Sequence, residues 1–439
     1  MKRVETIIIG GGISGLSAAH FLQKKAISFT LLESSSKLGG VIQTRLDKKF
    51  VFENGPNTVL INNSSIQKLI DDCKLNNKMI LPNLKSSSKR YVFHKNKPIA
   101  VPLNFRQFLK SPLLSKSTKL KFLKELISPF QFKNSSVYDF FQKKFGKEFH
   151  DNLIEPFLTG IYAGDTTKMS LKHSLKKFWL LKKKYRVLLF GLIKSKKNNI
   201  NPFSFSDGLS ELVRKIEENI SNKIELNTQV ISIKKNNNQY EIITNSKKTF
   251  LCKNIICTIP SFSLSKIIFD EDLSSILKKI NYNPIDVFHF VFKKNDIKNN
   301  MDGFGILCKP SDKKNYLGII FNSKIFPHVC PPTYDLFTVL VGGEKQKDIL
   351  KMPQEELKKI IVNETRDLIN CDGDLIYSNY FHWEKAIPQY NQLQENLEES
   401  ISFFHKKHKN FKIIGNYFSG ISVSDCIQKS ELVVDELFK

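Results

Sequence analysis

Val4-Glu5-Thr6-Ile7-Ile8-Ile9-Gly10-Gly11-Gly12-Ile13-Ser14-Gly15 is a short apolar run that breaks at once into glycines. The run from Val4 to Ile9, rich in β-branched residues, suits a buried parallel strand. Gly10, Gly12 and Gly15 take the first, third and sixth places of a G-x-G-x-x-G turn. The first permits a tight turn, the second lets backbone approach a pyrophosphate, and the third lets a helix pack closely on the strand. Residues 13–25 have helical spacing, and the start of that helix offers unpaired N–H groups to phosphates. A second strand, 27–32, ends at Glu33, eighteen positions after Gly15. A carboxylate there accepts from ribose hydroxyls and repels a 2′-phosphate, which disfavours NADP. Gly39-Gly40 follows six residues later. Together these features predict an FAD dock whose contacts are Gly10, Gly11, Gly12, Ile13, Ser14, Gly15, Glu33, Ser34, Gly39 and Gly40.

Two distant stretches share this nucleotide-domain character. Asp207-Gly208-Leu209 opens an amphipathic helix through Leu212, Val213, Ile216 and Ile220. Alternating segments at 224–233 and 240–244 follow, and residues 254–259 form an apolar run stopped by Pro260. Near the C-terminus, 411–414 has strand character and a helix is expected near Asp425, capped by Ser424 or Asp425. Pieces drawn from beginning, middle and end predict a discontinuous FAD-binding domain of residues 1–75, 203–268 and 405–439. Strand character at 287–292 and 337–341 predicts a second, substrate-binding domain of residues 76–105 and 269–404. Residues 106–202 form a helical, basic subdomain. The fold class is thus α/β plus α+β, with a mixed-sheet substrate domain inserted in a Rossmann-type one.

The 439 residues carry a formal charge of +26, and 61 of the 68 basic residues are Lys. Abundant Lys, Asn, Ile and Phe fit the codon drift of an AT-rich genome. Residues 106–200 alone, however, hold 21 basic against 6 acidic residues, which uniform drift does not explain. The basic cluster Lys182–Arg186 between Phe178–Leu181 and the apolar 187–193 can lie on an anionic membrane surface, or can bury its apolar stripe in the substrate domain. No nucleic-acid motif is present. Seven scattered Cys without a C-x-x-C pair read as reduced, buried thiols. The chain enters its first strand within a few residues of Met1, and no apolar run reaches the ~20 residues of a spanning helix. These features predict a cytoplasmic chain, soluble or peripheral on the cytoplasmic face of the membrane. No metal motif is visible among the nine His.

Several later motifs resemble the protoporphyrinogen oxidase family, a branch of the flavin amine oxidase superfamily with a p-hydroxybenzoate-hydroxylase-like FAD domain. Phe52-Glu53-Asn54-Gly55-Pro56-Asn57-Thr58 is similar to the segment beside the isoalloxazine ring. Lys89-Arg90-Tyr91-Val92 with Pro98 and Val101-Pro102, and above all Gly160-Ile161-Tyr162-Ala163-Gly164-Asp165 before Ser170, follow the family's order. Val341-Gly342-Gly343, Trp383 with Ala386–Tyr390, and Gly415-Asn416-Tyr417 through Ile427 complete a match over nearly the whole chain.

The resemblance implies a flavin-mediated, six-electron oxidation of a porphyrinogen in haem synthesis, in three two-electron steps, with molecular oxygen reduced to hydrogen peroxide. Protoporphyrinogen IX and coproporphyrinogen III both stay open as substrates. Arg90 is implied as the anchor of a substrate propionate, a role its guanidinium fork suits; a surface ion pair is the plain alternative. Asn57 is implied beside the flavin, Ala163 and Gly164 at the cavity wall, and Leu307, Ile320 and Leu340 against the pyrrole rings. Gly55, Pro56, Thr58, Val230, Ile421, Ser422 and Val423 are implied as further FAD contacts. Two departures stand out: Gln428-Lys429-Ser430 where relatives often have Gly, and Lys182–Lys184 where they commonly have an acidic residue. An amine oxidase, a carotenoid desaturase and a non-catalytic FAD-fold escort are the competing readings. No Cys closely precedes Ile421, as covalent-flavin amine oxidases have, and an escort typically loses parts of the dinucleotide motif, which is complete here.

Overall fold

The computed structural model describes residues 1–128, 135–185 and 201–439. The opening run forms the strand Lys2–Ile9, whose last four residues are buried. It lies parallel between Phe29–Leu32 and Thr249–Cys257. Seven strands make this sheet, with Phe411–Ile413 added parallel to Thr249–Cys257. Beginning, middle and end of the chain therefore meet in one sheet, as the scattered motifs predict. Parallel strands have two apolar faces, and both need covering. On one face, helix Ile13–Lys24 buries Leu16, Ala19 and Leu22 with Leu212 and Ile216 of Ser210–Ile220 and Ile427 of Val423–Leu437. The other face is covered by Glu271–Lys278 and Gln394–Lys407, through Leu273, Leu277, Leu397 and Ile401. Both helices lie in stretches expected in the second domain; the bare sheet face recruits their apolar stripes.

The strand Asn201–Phe205 also crosses an expected boundary. It pairs with Val59–Ile61 and Met79–Ile80 and buries Phe203 and Phe205 in the first domain's core. The helical segment therefore ends before 201, and residues 79–80 fold with the first domain.

The second sheet also has seven strands, in the order Leu375–Pro388, Tyr282–Lys293, Tyr334–Gly342, Gly318–Ile320, Gly305–Leu307, Arg90–His94, Lys97–Ala100. One face is closed by helix Gln354–Ile369, where Leu357 and Ile361 pack on Ile306, Ile319, Val339 and Phe288. Its other face looks toward the first domain.

The helical subdomain is held by an aromatic core that includes Phe140, Phe141, Phe145 and Phe149. A single π-helical turn, His150–Ile154, joins directly to helix Glu155–Tyr162. The apolar segment 187–193 lies outside the described residues. No helix among the described residues is long and apolar enough to cross a membrane. All seven cysteines are buried and free; burial pushes the thiols of Cys252 and Cys257 up to about 12, so both stay protonated.

Candidate active site

The three glycines of the turn differ in conformation and surroundings. Gly10 sits at φ +104°, which only glycine adopts freely. A Cβ on Gly15 would lie 1.9 Å from the Gly10 carbonyl oxygen, so helix and strand touch there. A Cβ on Gly12 would meet nothing nearer than Gly40 Cα at 4.0 Å. That open cradle, at an N-terminus no side chain caps, suits a pyrophosphate. The Gly39 N–H donates to Gly11 O at 2.9 Å, closing the doublet over the turn. Glu33 holds its carboxylate at the same edge, accepting from the Gly11 N–H at 2.6 Å and the Ser35 N–H at 2.8 Å. Ser34 donates to it at 3.2 Å. The Thr228 N–H donates to Glu33 O at 2.8 Å, which brings buried Val230 near the edge where Glu33 ends its strand.

Residues 55–58 continue this groove. A Cβ on Gly55 would sit 1.9 Å from the Val41 carbonyl oxygen, so the segment lies against the chain just after the doublet. Pro56 and Thr58 are half-buried beside it. At the far end the C-terminal helix starts at Val423, two residues before Asp425 and so near it as expected. Its cap is Ser422, whose hydroxyl accepts from the Asp425 N–H at 3.1 Å while the Asp425 carboxylate accepts from the Ser422 N–H at 3.2 Å. Ser424 does not cap; its hydroxyl donates to the Leu60 carbonyl. Ile421 packs on the cluster that also receives Leu307.

Across the second sheet one register row runs Arg90, Gly305, Ile320, Thr338, His289, Asn379. Two residues further along, a second row runs Val92, Leu307, Gly318, Leu340, Val287, Phe381. Directly paired residues share a face, and residues two apart do so again. Arg90, Leu307, Ile320 and Leu340 therefore project from the face turned toward the first domain. Those three aliphatic side chains are only half-buried, whereas Ile306, Ile319 and Val339 of the opposite face are at most 1 % exposed.

The segment 53–57 crosses this face and is tied to it. His289 donates from Nε2 to Glu53 O at 3.1 Å and accepts at Nδ1 from Asn379 at 3.1 Å. Burial lowers this histidine to about 4, so it is neutral. Trp383 donates to Asn54 O at 2.7 Å. Asn322 donates to Asn57 Oδ1 at 2.8 Å and accepts from Thr338 at 2.8 Å.

Arg90 forms no ion pair among the described residues, against the surface-pair alternative. Its guanidinium lies 4.6 Å from the Phe304 ring centroid and donates to Ser87 O at 3.4 Å. Burial pushes its pKa down, as for a cation without an anion beside it. Gly164 is buried, and a Cβ there would meet Gln389 Oε1 at 2.4 Å. Its smallness thus seats Gln389, which donates to Tyr162 O at 2.8 Å. Neighbouring Ala163 closes the helix in the left-handed conformation, φ +48°. The small residue facing Leu307 is instead Gly160, whose Cβ would fall 2.5 Å from Leu307 Cδ2. His150, Asp151 and Glu155 gather three ligand-type atoms. They are engaged already: His150 with Asp151 at 2.7 Å and Thr166 at 3.0 Å, Glu155 with Lys345 at 2.7 Å.

Comparison with known proteins decides what this groove belongs to. The family described as flavin containing amine oxidoreductase matches residues 13–437. The chain belongs to that family. It is similar to the mitochondrial protoporphyrinogen oxidase of Nicotiana tabacum, 28% identical over 99% of this chain and 95% of that one. It is also similar to the coproporphyrinogen III oxidase of Bacillus subtilis (strain 168), 25% identical over 98% and 97%. In fold it matches the crystal structure of a putative protoporphyrinogen oxidase from Exiguobacterium sp. 255-15, with TM-score 0.85 and 19% identity over 100% and 99%.

As a flavin-containing amine oxidoreductase the chain is an FAD-dependent oxidoreductase, and its groove fits that cofactor. The cradle beside Gly12 is open, the Glu33 carboxylate lies at its edge where it could accept from a ribose, and a capped helix start lies further along. Asn322, Thr338, His289 and Asn379 carry no signal in the sequence, and Gly160 shows there only as the start of a motif. They come from separate strands and helices, and each is an ordinary residue until the register aligns it.

Proposed function

We propose that the chain is an oxygen-dependent porphyrinogen oxidase of haem biosynthesis, converting protoporphyrinogen IX to protoporphyrin IX. The observation that carries this reading is Arg90, a part-buried guanidinium without a carboxylate partner among the described residues, on the same sheet face as Leu307, Ile320 and Leu340. A flat apolar macrocycle with carboxylate arms is complementary to such a face, and the guanidinium fork can take one arm in a bidentate pair. FAD, when bound, supplies the two-electron acceptor for each oxidation step, and oxygen takes the electrons on as hydrogen peroxide. The chain's own residues bind, orient and exclude water. Leu307, Ile320 and Leu340 present the apolar surface, while Asn322 and Thr338 hold the Asn57 amide at the boundary between the two domains. Gly10 to Gly15, Glu33, Val230 and Ile421 to Val423 hold the cofactor.

The cations near Arg90 favour a substrate with few carboxylates. Lys89 is paired with Asp302 at 3.6 Å. Lys95 and Lys97 lie at the hairpin turn, about 13 Å along the strand from Arg90. Coproporphyrinogen III, with four propionates, is the second reading, favoured by the name of the Bacillus subtilis relative. Oxygen-consumption assays with both porphyrinogens, followed by porphyrin fluorescence, test the proposal. Turnover of an amine with neither porphyrinogen consumed overturns it.

An anionic membrane surface is the proposed peripheral partner of the helical subdomain. Leu109, Leu120, Ile127 and Leu180 are all at least 45% exposed there, among abundant Lys. Apolar side chains with interspersed cations match an interface of acyl chains and acidic headgroups.

A further inference from the structure

Lys429, in the Gln428-Lys429-Ser430 run that follows Asp425-Cys426-Ile427, has a specific place in the fold. It lies on the C-terminal helix Val423–Leu437, and its side chain turns back beneath the loop 414–422 that leads into that helix. Its Nζ donates to the carbonyls of Gly415, of Phe418 at 2.8 Å and of Gly420 at 3.1 Å. The ammonium also lies 5.2 Å from the Phe418 ring centroid. All three ammonium protons are therefore spent on one loop. Lys429 forms no ion pair among the described residues, so carbonyl dipoles and an aromatic face meet its charge.

This arrangement fixes which way the loop's peptides point. Every peptide bond described is trans, and in a trans peptide the C=O and the following N–H point in opposite directions. With the Gly420 carbonyl drawn toward Lys429, the Ile421 N–H is turned away from it. That N–H has no acceptor among the described residues. Gly420 sits at φ +126°, a conformation that L side chains rarely adopt. Its own N–H is engaged by the Tyr390 hydroxyl at 3.1 Å, which in turn donates to Asn416 O at 2.8 Å. Lys429 and Tyr390 thus grip the loop from two sides, and what remains outward is the Ile421 N–H and the first turn of the helix. An unpaired N–H beside a helix N-terminus is a site for negative charge.

We propose that Lys429 is a positioning residue for the flavin: by gathering the loop carbonyls it aims the Ile421 N–H and the helix start at the end of the ring system where negative charge gathers on reduction. The proposal rests on the reading that Ile421 to Val423 meet the flavin. Aligned donors favour the reduced, more negative form, so their loss lowers the flavin's midpoint potential. A merely structural lysine alters stability and leaves the potential alone.

The test compares the purified holoprotein with Lys429→Met and Lys429→Arg. The measurements are the flavin midpoint potential, by equilibration with a redox dye, and the thermal melt. Lys429→Met is expected to weaken the preference for reduced flavin about tenfold, a fall of about 30 mV for a two-electron couple. Lys429→Arg, which retains charge and donors, is expected to stay near the parent value. A Lys429→Met protein with the parent potential and only a lower melting temperature overturns the proposal. If Lys429→Met does not fold, Lys429→Gln, which keeps two donors without the charge, is judged by the same two criteria. A parent protein that binds no flavin refutes the underlying reading instead, and is seen at once in its absorbance.

Discussion

Asn322 donates from Nδ2 to the side-chain oxygen of Asn57 at 2.8 Å, joining the helical turn after the strand Gly318–Ile320 to the segment 53–57. The Thr338 hydroxyl donates in turn to Asn322 Oδ1 at 2.8 Å and lies 3.3 Å from Asn57 Oδ1. A hydroxyl has one proton, so the shorter contact takes it and Asn322 acts as a relay. Asn322→Ala is expected to retain flavin but lower kcat on the order of a hundredfold, because a loosened Asn57 no longer holds its orientation. Thr338 becomes free to turn toward Asn57 in that variant. Adding Thr338→Val should therefore cost more beside Asn322→Ala than alone, which a double-mutant cycle on kcat measures.

Arg90→Ala should raise KM for the porphyrinogen and spare the cofactor. A charge-assisted hydrogen bond contributes about 1.5–3 kcal/mol, which converts to a rise of roughly ten- to a hundredfold. Arg90→Lys should recover part of it, since a point charge replaces the fork. Steady-state kinetics with the flavin-to-protein absorbance ratio separate the two effects. Loss of flavin would show that Arg90 supports the cofactor rather than the substrate.

Gly12→Ala and Gly15→Ala are expected to fail differently. Gly12 has φ −72°, and its Cβ finds open space, so the variant should melt like the parent apoprotein while binding FAD weakly. Gly15→Ala places a Cβ 1.9 Å from Gly10 O, which forces backbone apart and should lower the melting temperature as well. Absorbance at the flavin band and thermal melts of both apoproteins test the contrast.

Glu53 and His289 give stability two opposed pH dependences. Burial raises the Glu53 carboxyl to about 8, although Leu209 N–H and Thr44 Oγ1 donate to it. The fold favours its protonated form, so its contribution is intact below about 4.5 and is lost as pH rises toward 8. His289, held neutral with a value near 4, contributes above 6.5 and loses its contribution as pH falls toward 4. Between 4.5 and 6.5 the slopes oppose each other; from 6.5 to 8 only the Glu53 slope remains. Melting temperature should therefore decline over that upper range, and Glu53→Gln should remove the decline. An unchanged slope in the Gln variant would show that another group titrates there.

The glycine turn was legible because its signals are local. Gly10, Gly12 and Gly15 act through φ and Cβ contacts within a few residues of one another. Glu33 follows at the end of the adjacent strand. The substrate half was legible only in its residue types. Leu307, Ile320 and Leu340 lie on three different strands, and a one-residue slip in any of them would turn its side chain to the helix-covered face. Gly164 illustrates the same limit: smallness was visible, but Gln389 rather than substrate occupies the space beside it. Domain limits were misplaced near 76, 202 and 269 for a similar reason. An amphipathic stripe such as Leu273/Leu277 announces that it will be buried, without saying against which sheet.

By itself the sequence determined a βαβ unit with a glycine turn, a chain whose ends and middle return to one sheet, and the kinds of side chain carried by the second sheet. Backbone conformation and apolar periodicity are short-range properties, and they are written residue by residue. Tertiary structure alone decided that Arg90 forms no ion pair among the described residues, that Asn57 is held by Asn322, and that Lys429 gathers three carbonyls beneath the loop 414–422. Each of these depends on the relative placement of groups far apart in the chain, which only strand register and domain packing set.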